Sequence, residues 1–133
     1  GTTSPNKALT VVGSVSATGD LNGGILSVSA INFTLGTLPS SATINLDVDT
    51  GSLQTLTILD STTFSMTNHG AGKTMSVRIV NSSGTAKDIA FPGDWVFVSP
   101  KPLNIPDGKT GILSINCYGA ADADVVCAYA ESS

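Results

Sequence analysis

The stretch Ala42-Thr43-Ile44-Asn45-Leu46-Asp47-Val48-Asp49 decides the fold class. Ala42, Ile44, Leu46 and Val48 fall on one side; Thr43, Asn45, Asp47 and Asp49 fall on the other. A period of two marks a strand with one face buried and one face wet. Asp49-Thr50-Gly51-Ser52 then supplies a turn. Leu53, Leu56 and Ile58 are expected to form the return strand, with a slip of phase at Gln54–Thr55 that implies a bulge.

The same pattern runs on toward the C-terminus. Phe64 and Met66 share a side, and Asn68-His69-Gly70-Ala71-Gly72 reads as a loop. Met75, Val77 and Ile79 alternate with Ser76 and Arg78 before a turn at Asn81-Ser82-Ser83-Gly84. Ile89 and Phe91 follow, and Pro92-Gly93 ends that strand. Trp95 and Phe97 point one way, Val96 and Val98 the other, which suits burial between a core and a second subunit. Ser99 to Asp107 carries three prolines and is expected to be extended loop. Leu113, Ile115 and Cys117 answer Val125, Cys127 and Tyr129 as a last hairpin. Short strands with turns every ~8–12 residues point to an all-β fold, a jelly-roll-like β-sandwich head over residues 42–133.

Residues 1–41 differ. Leu9 and Val11, then Val15 and Ala17, then Leu21, form short apolar alternations broken by Gly13, Gly19 and Gly23-Gly24. Strands this short need a neighbour to cover their apolar face. Three copies wound about one axis would supply it, so an intertwined β shaft or neck is expected here. Ile31, Phe33, Leu35 and Leu38 give a heavier stretch where shaft would meet head.

Composition supports self-association. The chain is 41% hydrophobic and only 12% charged, with a net charge of −4. Burying surface against copies of itself is one remedy for so little charge. Glu occurs only at Glu131, and no window carries helical apolar spacing, so almost no helix is expected. The six basic residues are scattered, which argues against a nucleic-acid partner. No apolar run approaches the ~18 residues of a membrane span. The start at Gly1, with neither Met nor a signal peptide, is expected of a fragment of something longer.

Chemistry is sparse. His69 is the sole histidine, and a nucleophile would need a base and an orienting group around it. Gly72-Lys73-Thr74 lacks the earlier glycine of a phosphate loop, since position 67 is Thr67. Asp47-Val48-Asp49 and Asp122-Ala123-Asp124 read as solvated turns rather than calcium loops, because no bidentate Glu follows. Cys117 and Cys127 could face each other across a hairpin, as a disulfide or as two buried thiols. No catalytic residue, metal or cofactor is expected. For a sugar ligand, Tyr118 before a polar turn is the best exposed aromatic, with Asn116, Asp122 and Asp124 nearby and Trp95 as a second ring. The simpler role of Trp95 and Tyr129 is packing.

Two stretches resemble a known family. Gly1-Thr2-Thr3-Ser4-Pro5, then Leu9-Thr10-Val11 and Gly13-Ser14-Val15-Ser16-Ala17-Thr18-Gly19, resembles a segment of trimeric phage tail fibres. From Ala42 to about Ala130 the chain resembles a C-terminal domain of phage fibre and other virion proteins. The likeness lies in Ala42-Thr43-Ile44-Asn45-Leu46-Asp47, Ser76-Val77-Arg78-Ile79-Val80, Phe91-Pro92 with Trp95, and Gly111-Ile112-Leu113-Ser114-Ile115. Asn116-Cys117-Tyr118-Gly119 and Cys127-Ala128-Tyr129 depart from the aromatic pairs of that family. The resemblance implies a homotrimeric, non-enzymatic fibre module of a virion. It would attach to a host-cell receptor, a glycan among the candidates, and meet other virion proteins through a region before Gly1. A capsid head fibre or decoration protein, or a secreted carbohydrate-binding module, are the alternative readings.

Overall fold

The computed structural model describes residues 30 and 32–133. The strands expected within residues 1–29, and Ile31, lie outside the described residues. Asn32–Ser133 form one compact unit. Its strands are β1 (Leu35–Leu38), β2 (Thr43–Asp47), β3 (Leu53–Ile58), β4 (Thr62–Thr67) and β5 (Thr74–Asn81). They continue as β6 (Lys87–Ala90), β7 (Val96–Phe97), β8 (Asn104–Ile105), β9 (Thr110–Cys117) and β10 (Val125–Glu131). Helix among the described residues is limited to 3-10 turns at Val48–Thr50 and Asp122–Asp124. None of the described helices is long and apolar enough to cross a membrane.

The strands form two mixed sheets: six in the order β1-β3-β5-β9-β10-β7, and four in the order β2-β4-β6-β8. Each strand from β1 to β6 therefore passes the chain to the opposite sheet. Neighbours β1, β3 and β5 run parallel, as do β2, β4 and β6. The expected return strand after Asp49-Thr50-Gly51-Ser52 is thus not a hairpin partner of β2. The turn itself explains the change of layer. Asp47 Oδ1 accepts from the Asp49 amide at 3.0 Å, and Thr50 Oγ1 donates to Asp47 O at 2.7 Å. Gly51 then leaves the turn at φ 142°, where a side chain would be strained. Sheets lie about 10 Å apart and an extended residue spans about 3.4 Å, so even the short 59–61 connection can bridge them.

The last two long strands close the larger sheet. β9 lies antiparallel between β5 and β10, with Cys117 opposite Val125, Ile115 opposite Cys127, and Leu113 opposite Tyr129. The expected final hairpin forms in this register. Cys117 and Cys127 are consequently diagonal neighbours, and both are free and buried. The 99–107 segment is largely loop, but Asn104–Ile105 pairs with β6 and sinks Ile105 completely.

Alternation fills one core between the sheets. Leu56, Ile79, Leu113 and Val125 enter from the larger sheet; Ile44, Leu46 and Phe64 enter from the smaller. Phe64 stacks on Phe91 at 5.0 Å, and Trp95 and Phe97 pack beside them. The bulge expected at Gln54–Thr55 is absent, since β3 pairs with β5 without interruption from Leu53 to Ile58. Instead Leu53 points outward and Gln54 takes the inward slot. The Gln54 amide donates to Gly51 O at 3.2 Å, and its head lies over Gly36, where a Cβ would collide with it.

A second buried polar group is Asn81. Its amide donates to Thr85 O and Ile105 O, each at 2.8 Å. Its carbonyl accepts from Ser83 N at 3.1 Å and Ser83 Oγ at 2.8 Å. This ties β5, the turn after it and β8 together. Asn81→Ala should destabilise the fold by roughly 2–4 kcal/mol, because buried carbonyls lose their donors. Urea denaturation measures this; a loss below about 1 kcal/mol would contradict it.

Candidate functional site

The winding gathers four connections at one end: residues 48–52, 68–73, 91–95 and 118–124. At this end Asp47 accepts from Asn68 Nδ2 at 2.9 Å, and Lys73 Nζ reaches Asp49 Oδ1 at 2.6 Å and Asn68 O at 2.7 Å. Lys73 is thereby occupied as a strut between turns. Asn68 adopts a positive φ of 58°, which its short amide tolerates.

Asp122 is the hub of the neighbouring cluster. Trp95 Nε1 donates to Asp122 Oδ1 at 3.4 Å, and His69 Nε2 lies 3.6 Å from the same oxygen. The second distance is too long for a hydrogen bond, so the contact becomes an ion pair only when His69 is protonated. Both imidazole nitrogens are buried and lack a hydrogen-bond partner. Among the described residues no serine or threonine hydroxyl hydrogen-bonds to the ring. Among the described residues no group of three or more His, Cys, Asp or Glu converges as a metal site.

The residues singled out for ligand contact therefore divide. Trp95 and Asp122 meet, but Trp95 is only 4% exposed and its ring belongs to the core. Asp124 turns into its own loop, where Oδ2 accepts from Ala121 N at 3.2 Å. Tyr118 is 72% exposed, as expected for a ring at a polar turn. Asn116 lies away from this cluster, on the outer face of the larger sheet.

That outer face is the second candidate surface. Cross-strand partners make one row of Leu35, Leu53, Ser76, Ser114 and Ala128. The next row is Thr37, Thr55, Arg78, Ile112 and Ala130. Arg78 is the one charged side chain that the described strands place on this face, and its Nε donates to Thr55 Oγ1 at 3.2 Å. Toward β10 and β7 the face becomes apolar, with Ile112, Val126, Ala128 and Val96, and Val98 just beyond. Val98 is 72% exposed. Toward β3 and β5 it becomes a pocket of about 420 Å³. Phe33 and Leu53 line it with Ser52, Thr74, Ser76, Ser114 and Asn116. The smaller sheet differs: its outer Asn45, Ser65 and Thr67 satisfy one another by hydrogen bonds.

No known protein family, curated protein or solved structure matches this chain. The surfaces must therefore be read from their own chemistry. Sequence reasoning found Asn116 and Tyr118 but missed Phe33 and the serine and threonine hydroxyls as a group. No local signal marks these hydroxyls, because the pocket assembles from segments far apart in the chain. The apolar second face of Val96 and Val98 was visible as alternation, and Val126 and Ala128 lie on the same side of the sheet.

Burial raises the Cys117 thiol above its usual value. Burial, with Cys117 nearby, pushes Cys127 up to about 12. Neither thiol is then a nucleophile near neutral pH. A disulfide reagent at pH 8 should leave the native protein unreacted and label both cysteines once it is unfolded; rapid native labelling would contradict this.

The hydrogen bond from Asn68, and then the Asp49 amide, hold the Asp47 carboxyl below the usual aspartate value. A lowered folded value stabilises the protein above the unfolded-state value, and that stabilisation is lost as pH falls through the folded one. The stability difference between wild type and Asp47→Asn should shrink over that acidic window. A difference that stays constant would contradict the network.

Proposed function

We propose that this chain is a non-enzymatic structural module of a phage fibre. It forms a homotrimer whose two-sheet β head, rather than an antiparallel jelly roll, serves host-cell attachment. The observation that carries this reading is the outer face of the six-stranded sheet, which is nearly free of charge and exposes valine and isoleucine. A monomer would leave this area wet on a chain with few charges to keep it apart from others. The cyclic assembly would bury Val96, Val98, Val126 and Ala128 at subunit contacts. Three heads on one shaft would add weak receptor contacts by avidity.

The setting proposed is the virion, with other virion proteins as further partners. A capsid head fibre would use the same assembly. The pocket beside Phe33 is the one observation that favours a monomeric carbohydrate-binding module instead.

Light scattering on the whole chain at two protein concentrations tests the reading. Each chain weighs 13.4 kDa, and three chain masses are expected at both concentrations. One chain mass at both would move the monomeric module to first place.

A further inference from the structure

The pocket on the outer face has a consistent chemistry. Its volume of about 420 Å³ falls within the ~300–1,000 Å³ of small-ligand sites. Phe33, 61% exposed, offers an aromatic face at its rim. Ser76 sits directly opposite Ser114, and Thr74 directly opposite Asn116. These hydroxyls and the amide both donate and accept hydrogen bonds. Its lining includes no charged side chain among the described residues.

This lining discriminates between ligand classes. An anion would find no cation among the described lining residues. A wholly apolar ligand would strip water from the hydroxyls and the amide and leave them unpaired. A ligand with one apolar face and a rim of hydroxyls satisfies both sides. Its C–H face would lie on Phe33 while its hydroxyls meet the serine and threonine grid.

We propose that this pocket binds an uncharged saccharide ring. This names a ligand class for the attachment role and rests on that role for its biological setting. Binding in the pocket is a separate physical claim from trimer formation. The site uses Asn116 but not Tyr118, Asp122, Asp124 or Trp95.

The test is an NMR titration of the isotope-labelled chain with maltose, lactose and N,N′-diacetylchitobiose, with sialyllactose as the charged counterpart. Light scattering is run on the same samples. At least one neutral sugar at millimolar concentration should shift amides of the pocket strands, β3, β5 and β9, near Leu53, Ser76 and Ser114. Phe33→Ala and Asn116→Ala should each weaken it about tenfold, while Leu103→Ala, in the exposed loop before β8, should not. No shift with any neutral sugar would overturn the proposal, as would preferential binding of sialyllactose. A fall in mass on Phe33→Ala would also overturn it, assigning the pocket to a second copy. Localised shifts with one chain mass would keep the saccharide site and reject the trimer. Three chain masses without shifts would do the reverse.

Discussion

The crossing of each strand from one sheet to the other is the constraint on which the rest depends. Because β1 to β6 alternate between layers, each new strand lies parallel to the one placed two steps earlier. Every inward side chain of one layer meets inward side chains of the other, so both sheets share a single core. A slip of one residue would turn that layer's apolar set outward. The few inward polar groups are held by hydrogen bonds: Gln54 by Gly51 O over Gly36, and Asn81 by the turn after β5 and by β8. The polar devices thus sit where the chain leaves or closes a layer.

The same winding sets the character of the two outer faces. The smaller sheet pairs its outward polar groups with one another, as Asn45 does with Ser65 and Thr67. The larger sheet, completed by β9 and β10, combines hydroxyls near β3 and β5 with valine, alanine and isoleucine near β10 and β7. Part of one face is therefore satisfied by its own contacts. The other carries unpaired apolar area and a pocket. The trimeric fibre reading draws on the first of these features, and the saccharide reading on the second.

Much of this was legible in the chain. Period-two alternation identified β2, β5, β9 and β10, and the final hairpin formed as read. The choice of partner was not legible, because a turn at Asp49–Ser52 does not declare whether the next strand returns beside β2 or crosses layers. Leu53 misled the phase of β3: a leucine can face outward, and the inward position belongs to Gln54 because Gly36 leaves room for it. Trp95 was a fair ligand candidate by residue type, yet three-dimensional packing against Phe91 covers its ring. Asn116 lines the pocket while Tyr118, one residue past the end of β9, stands exposed, and alternation does not declare where the strand stops.

The most direct test of the central claim, that the β10–β7 side of the larger sheet's outer face is buried between copies, is the mass of a charge-bearing variant. Val126→Asp combined with Ala128→Asp places two carboxylates on that face without entering the core. Asn45→Asp, on the smaller sheet, is the control. Light scattering should then give one chain mass for the double variant, with its circular dichroism unchanged, and three for the control. A double variant that still assembles as three folded chains would contradict the claim.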